Sequence, residues 1–433
     1  MTVRGKRLLI LGGNPETAAL VRHASAMGVV TLVVDPNPDA PAKRDAAESY
    51  DVDGRDVPAL IDLARRVGAD GVLVGVADIL VGAYKEVCEA LGFPCYANAR
   101  TVEAFTTKDG FQSACRTFGI ACIPSFTLSA SLSKADVEAL QFPIMLKPVD
   151  NGGGVGMVVC ENSQELRSGV DFALRHSKRG AFLAERYMTC DDVFTYYTFK
   201  DGAVYLSAMA DRITTRVQGK TSPVCLAASY PSHHLEAYLA TVHPRMCRMF
   251  EGLGVRDGVL NVQFFVNGDN FFAYDPGFRL QGEAPHIVIN AVNGFDHRSM
   301  LVEFALTGQM GDVDLTVAND PRLRGNRACT VWFLLKAGTV ARIDGLDAVR
   351  RDPSVAFVLQ RFGEGDVVTP AMVGTERQVL ARVYVIAASD LALADTVAGI
   401  QRVVQAFDAD GHDMLVDRVD TAQLMTISDG DAK

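Results

Sequence analysis

An α/β domain followed by an α+β body is the fold class that this 433-residue sequence predicts, and three observations predict it. Short apolar runs alternate with amphipathic stretches through the first hundred residues. Paired β runs joined by Asp-Gly and Asn-Gly turns occupy the middle. A further set of strand and helix patterns closes the chain, with no low-complexity linker between the parts. Hydrophobic residues make up 48% of the chain, enough to fill more than one core, and 433 residues exceed what one core usually serves.

From residue 6 to about 97 the runs are RLLILGG, PETAALVRHASAMG, VVTLVVD, VPALIDLARRVG, ADGVLVGV and YKEVCEALG. Strand-helix alternation of this kind implies a parallel sheet with helices on both faces. Its first turn, GGNPET, lacks the third glycine of a GxGxxG fingerprint. Asp35 therefore reads as a turn residue before PNP rather than as a ribose ligand, and an NAD-dependent oxidoreductase ranks last among the readings.

Residues 100 to 125 look helical until Gly119 and Pro124 break the pattern. Strands FPIMLKPVD and MVVC then flank the turn NGGGVG, and a helix over 162–176 leads to strand AFLAERYM. DVFTYYTFKDGAVYLSAMADR predicts a hairpin turning at Asp201-Gly202. A long helix over about 232–253 precedes a second hairpin turning at Asn267-Gly268. From 326 onward come strand CTVWFLL, the stretch AGTVARIDG, strand QVLARVYVIAA and helix LADTVAGIQRVVQAF. The expected divisions are 1–99 for the α/β domain, 100–322 for the middle with a lid over about 123–190, and 323–433 for a small α+β domain. Only SDGDAK reads as a loose tail.

The net charge of -10 argues against a nucleic-acid surface, which needs clustered Lys and Arg to displace counterions. MTVRGKRLLILGG holds a short apolar run that enters a glycine turn, not a cleavable leader, and no run approaches 18 uninterrupted apolar residues. A cytoplasmic protein without membrane partners is expected. Nine cysteines, at 88, 95, 115, 122, 160, 190, 225, 247 and 329, are scattered with no CxxC pair. They read as buried reduced thiols, and a structural zinc site is not expected.

The strongest local signal is KPVDNGGGVGM, residues 147 to 157. A strand lysine followed by glycines suits a loop whose backbone N–H groups approach phosphate oxygens while the ammonium adds a point charge. It is no Walker loop, because the lysine precedes the glycines. Upstream, TKDGFQSACRTFGI puts Lys108 at a helix start; downstream, AERYMTCDD is an acidic-aromatic strand that ends by exposing Asp191 and Asp192. Gln263 and Asp275 fall on the paired strands of one hairpin, so their oxygens can converge on Mg2+ shared with a triphosphate.

In this order and spacing the set resembles the ATP-grasp superfamily, over about residues 6 to 420. The resemblance implies a Rossmann-like N-terminal (pre-ATP-grasp) domain, a central lid plus ATP-grasp core, and ATP held between two β-sheets. By position, Lys108 and Lys147 match the family's two ATP lysines, and Gly152, Gly153, Gly154 and Gly156 its phosphate loop. Glu185, Arg186, Tyr187 and Met188 look like the adenine hinge, and Asp192 like the ribose carboxylate. Gln263 and Asp275 fall at the Mg2+ (or Mn2+) ligand positions, but Gly277 stands where the family has Asn. The departure implies one of three outcomes: weaker metal binding, use of Glu283, or reliance on water. Arg279 resembles the arginine that pairs with the carboxylate or acyl phosphate. RLQGE, 279–283, is similar to the Arg-x-Gln-x-Glu stretch of biotin carboxylases, which makes Glu283 a candidate base or a salt-bridged structural residue. His286, His297 and Arg298 lie downstream, the histidines read as core or surface residues.

AGTVARIDGLDAV and GHDML look like the C-terminal domain of L-amino-acid ligases, biotin carboxylases and purine-pathway relatives. The resemblance thus implies an ADP-forming ligase that activates a small carboxylate as an acyl phosphate and couples it to an amine. Carboxylation of a nitrogen through carboxyphosphate and a non-catalytic ATP-binding regulator are the alternatives. Related enzymes are often homodimers.

Overall fold

A computed structural model describes residues 2–129, 131–138, 140–149, 156–217 and 223–425. The chain opens with β1 (Arg7–Leu11), α1 (Pro15–Ala26), β2 (Val30–Val34), β3 (Glu48–Tyr50), α2 (Val57–Val67), β4 (Gly71–Val74) and α3 (Val81–Leu91). The four strands are parallel in the order β3-β2-β1-β4. β1, β2 and β4 are apolar along nearly their whole length because helices cover both faces. The short, polar β3, ESY, carries no such signal and is absent from the sequence expectation.

Asn14 starts α1: its side-chain oxygen accepts from the Thr17 N–H at 2.8 Å, and Pro15 fits the first helical position. The Asn14 amide also donates to the Val76 carbonyl, tying the turns after β1 and β4 together. Asp78 follows β4 at this carboxyl edge, where open parallel sheets offer ligand crevices.

β4 lies against the helix His297–Thr307 with no room for a side chain. A Cβ on Gly71 would stand 2.1 Å from the Ala305 carbonyl oxygen. Gly71→Ala is therefore expected to destabilise the protein by about 1–3 kcal/mol, because backbone must move to relieve the overlap. Thermal unfolding reads this, and an unchanged Tm would contradict the packing.

Next come α4 (Ala99–Thr106) and α5 (Lys108–Thr117). The predicted 100–125 helix is thus two helices, because Thr107 is extended and caps α5 through its hydroxyl to Gly110 N–H. β5 (Ser125–Phe126), α6 (Lys134–Glu138), β6 (Ile144–Pro148), β7 (Val158–Cys160), α7 (Ser163–Arg175) and β8 (Phe182–Arg186) follow. Their strands form an antiparallel sheet, β5-β8-β6-β7, over a small core of its own that includes Ile144, Leu146, Leu166 and Val170.

The largest sheet takes in β9 (Asp191–Lys200), β10 (Ala203–Thr215), β11 (Val224–Tyr230), β12 (Gly258–Asn267), β13 (Asn270–Gly277) and β14 (Arg327–Leu334). Two ribbons follow, β15 (Gly338–Thr339) with β18 (Val367–Val368) and β16 (Arg342–Asp344) with β20 (Gln405–Phe407). β17 (Val355–Gln360) and β19 (Val379–Ala387) complete the sheet in the order β13-β12-β9-β10-β11-β14-β19-β17. Strands from both sides of residue 322 thus share one sheet through the β11–β14 pairing.

The first hairpin turns at Asp201-Gly202 as expected, with both residues at positive φ. The second turns one residue later than expected, through Gly268 and Asp269, because Asn267 still pairs with Asn270. The predicted 232–253 helix is α8 (Leu235–Thr241) and α9 (His243–Leu253), divided where Pro244 cannot continue an existing helix. α10 (His286–Asn293) packs against β17 and β19, and α11 (His297–Thr307) against β1 and β4 of the N-terminal sheet. The final predicted helix stops at Val403, and Gln405–Phe407 is strand. No helix among the described residues is long and apolar enough to cross a membrane.

Candidate active site

Two antiparallel sheets face one another across a cavity of about 770 Å3. Met145, Lys147 and Glu185 line it from β6 and β8, and Asp192, Arg212, Cys225, Gln263 and Tyr274 from the large sheet. A smaller recess, about 140 Å3, is bounded by Asp78, Lys108, Lys147, Glu185, Tyr274 and Asp275. Lys147, Glu185 and Tyr274 belong to both, so the two spaces meet at these residues.

Strand alternation accounts for the first wall. Met145 and Lys147 stand two apart on β6, and Met145 lies opposite Glu185 on β8, so all three share a face. Lys147 Nζ forms an ion pair with the buried Glu185 carboxylate. Glu185 is thus engaged by the lysine, while Arg186, Tyr187 and Met188 extend along the cavity edge. The Arg216 guanidinium lies 5.1 Å from the Tyr187 ring centroid. Gly156 has φ +78°, a conformation that L side chains rarely adopt. Gly152, Gly153 and Gly154 lie outside the described residues.

Lys108, the first residue of α5, reaches the recess from the opposite side. Desolvation pushes its ammonium below the ordinary value and the Lys147 charge pushes it further, against Glu185 and Asp275. Two cations converging on one recess suit a polyanion.

Cross-strand register builds the second wall. Phe265, Asp192 and Arg212 stand side by side on β12, β9 and β10. Asp192 does not end a strand in solvent, as the sequence suggested; it is the second residue of β9 and partly buried, and only Asp191, the strand's first residue, is exposed. One Asp192 oxygen accepts from Arg212 Nη1 at 2.6 Å and the other from the Tyr274 hydroxyl at 2.9 Å. Arg212 Nη2 donates to Glu283 Oε1 at 3.0 Å. Burial raises the carboxyl groups of both Asp192 and Glu283, and the guanidinium between them opposes the rise.

Gln263 and Asp275 are directly opposite one another in the β12–β13 register. Asp275 is crowded by protein atoms yet open to solvent through the cleft. Its carboxyl is raised to about 6, first by desolvation and then by Asp78, against Arg279, Lys147 and Lys108. Asp78 is ion-paired with Arg279, whose Nη1 donates to the Leu280 carbonyl at 2.9 Å.

Gly277 leaves no room for a side chain between its neighbours. A Cβ there would stand 2.6 Å from Asn261 Oδ1 and 3.1 Å from Asp78 Oδ1. Asn261 pairs with Gly277 across the hairpin, two residues before Gln263 on the same face, and thus brings a carboxamide to that space. Oδ1 of Asn261 and Oδ1 of Asp78 are both buried without a hydrogen-bond partner. Buried oxygens left in this way are costly unless something binds them. Asp78 and Asp275 line the same recess, and oxygen ligands of this kind are those that hard divalent cations take.

Arg279 and Glu283 are set back from the cleft surface. Arg279 reaches it through Asp78 and Glu283 through Arg212; Oε2 of Glu283 and Nε of Arg279 are buried without partners. His297 is a core residue bonded to Thr198, and its imidazole is held down at about 3 by burial. His286 and Arg298 border a separate small cavity with Gln281 and Glu16. Asn261, Asp78 and Arg212 were not singled out from the sequence. Of these, only Asn261 carried a local signal, its two-residue spacing from Gln263.

The family model described as "Carbamoyl-phosphate synthase L chain, ATP binding domain" matches residues 107–310. A formate-dependent phosphoribosylglycinamide formyltransferase of Prochlorococcus marinus (strain MIT 9515) is 26% identical over 199 residues, 45% of this chain and 51% of that protein. The chain thus spans about half the length of that relative. Among solved structures, the L-amino acid ligase of Bacillus licheniformis superposes with a TM-score of 0.74 at 17% identity, covering 94% of this chain and 99% of that one. The biotin carboxylase domain dimer of Hydrogenobacter thermophilus 2-oxoglutarate carboxylase, in complex with MgADP, ADP and bicarbonate, gives 0.73 at 16% identity, over 94% and 91%.

Proposed function

We propose that this chain, a member of the ATP-grasp superfamily, is a ligase that activates a small carboxylate with ATP and joins it to an amine, releasing ADP and phosphate. The observation that carries the reading is the common cleft: Lys108 from a helix start, Lys147 from one sheet and Asp275 from the other line a single recess. That recess opens into a cavity of about 770 Å3, within the size range of nucleotide and cofactor pockets.

ATP would supply the terminal phosphoryl, and a bound Mg2+ would supply charge neutralisation at its phosphate oxygens. The chain's own part is positioning and charge. Lys108, Lys147 and the loop amides of Gly152, Gly153, Gly154 and Gly156 hold the phosphates. Glu185, Arg186, Tyr187 and Met188 form the edge against which the base rests, and Asp192 receives the ribose hydroxyls. Gln263 and Asp275 hold the cation, with Asn261 and Asp78 completing the oxygen set. Arg279 aligns the acid's carboxylate and stabilises the oxyanion that forms when the amine attacks. Glu283, set behind Arg212, is the candidate base for the amine proton and would act through that arginine's side of the cleft. A homodimer is the assembly we assign.

Phosphate release from ATP and Mg2+ with pooled amino acids and small carboxylates, followed by mass analysis of the product, tests this reading. A new amide mass supports it. Phosphate released only with bicarbonate and a nitrogen acceptor would indicate carboxylation instead, and tight nucleotide binding without turnover in any mixture would indicate a regulator.

Asn261→Ala gives a narrower test. Losing that oxygen is expected to raise the Mg2+ concentration for half-maximal turnover about 10-fold or more, with the fold intact. An unchanged Mg2+ titration would remove Asn261 from the cation set.

A further inference from the structure

We propose that Asp191, His233 and His234 form a second cation site, at the rim of the cleft, that takes a borderline transition ion of the Zn2+ type. Ligand atoms of the three side chains lie within 4.8 Å of one another. Asp191 Oδ2 stands 2.9 Å from His234 Nε2 and 3.6 Å from His233 Nε2. Ligands on a tetrahedral ion with bonds near 2.0–2.1 Å are separated by about 3.3 Å, which the two spacings bracket.

A second feature points the same way. His233 uses its other nitrogen: Nδ1 lies 2.8 Å from Asp211 Oδ2, and the His233 N–H donates to the same oxygen at 2.9 Å. The second Asp211 oxygen accepts from the Ser232 hydroxyl at 2.5 Å. Asp211 is therefore fixed by residues next to the site, and a His233 Nδ1–H that donates to it leaves Nε2, 3.6 Å from Asp191 Oδ2, as the nitrogen available to a metal. A carboxylate behind a ligating imidazole is the usual way such a ring is oriented and made more basic.

The centroids of the two rings are 3.7 Å apart. Two imidazoles with one carboxylate match Zn2+ and its neighbours rather than Mg2+, which prefers oxygen. Asp191 and His233 are half-exposed, so remaining coordination positions open to water. This site is distinct from the oxygen set around Asp275: it joins the start of β9 to the turn that enters α8.

Its position gives the ion a consequence. Asp191 lies between Cys190 and Asp192, both of which line the large cavity. A bound cation would pin the segment that leads from β8 into β9 against residues 232–234.

The test uses the full chain stripped with a chelator. Equilibrium dialysis against Zn2+ is expected to show one ion bound per chain more tightly than about 10 µM, absent from the His233→Ala/His234→Ala double variant. Asp211→Asn should weaken binding about 10- to 100-fold without abolishing it. Co2+ in the same site should give visible ligand-field bands without a thiolate charge-transfer band, a readout on wild-type protein that does not depend on the variants folding. Equal Zn2+ stoichiometry in wild type and double variant, a thiolate band with Co2+, or no Zn2+ bound at about 100 µM would each overturn the proposal.

Discussion

Lys147→Ala is expected to lower ATP-dependent phosphate release about 10^2- to 10^3-fold, the range seen when one preorganised donor is taken from a developing anion. Two features make the effect large. Lys147 belongs to both the recess and the larger cavity, so its charge reaches both spaces of the proposed nucleotide cleft. Its removal also leaves the buried Glu185 carboxylate, now ion-paired to the ammonium, facing the nucleotide as an unpaired negative charge. Lys147→Arg should not restore full activity, because a planar fork fills the space of a compact ammonium poorly. Steady-state phosphate release with a fixed acid and amine checks this, and wild-type turnover in the Ala variant would contradict the assignment.

Arg212→Met is expected to give the largest loss of stability. The guanidinium is the common partner of Asp192 and Glu283, so its loss strands two buried carboxylates at once. Breaking a buried pair in this way costs about 3–5 kcal/mol. The loss should depend on pH in a defined direction. Desolvation already raises both carboxyl groups, and without the cation nothing holds them back. Acids whose folded-state pKa lies above the unfolded value bind extra protons when folded, so stability falls as pH rises through that interval. The variant should therefore be closest to wild type below the ordinary carboxylate range and furthest from it above the raised folded values. Denaturation at several pH values reads the difference, and a deficit independent of pH would contradict the pairing.

The sequence made the site legible where its chemistry is local. Lys108 at a helix start, Lys147 before a glycine loop, and Gln263 opposite Asp275 all follow from short-range patterns that survive folding. Cross-strand neighbours were harder to see. Arg212 meets Asp192 only through the β9–β10 register, and Asn261 meets Gly277 only through the β12–β13 register. Asp78 comes from the far end of the N-terminal sheet, about two hundred residues from Arg279 in sequence. The helix errors have equally plain causes. Periodicity continues through Thr107 and Pro244, yet an extended capping residue divides one helix and a missing N–H the other. The adjacent His233 and His234 gained meaning only when Asp191 and Asp211 were brought beside them.

Transfer of oxygen from acid to phosphate tests the central claim most directly. Amino acids and small carboxylates labelled with 18O in the carboxyl group would be incubated with the enzyme, ATP, Mg2+ and an amine, and the released phosphate examined by 31P NMR. Activation through an acyl phosphate predicts one labelled oxygen in each phosphate formed. Unlabelled phosphate alongside amide product would contradict it.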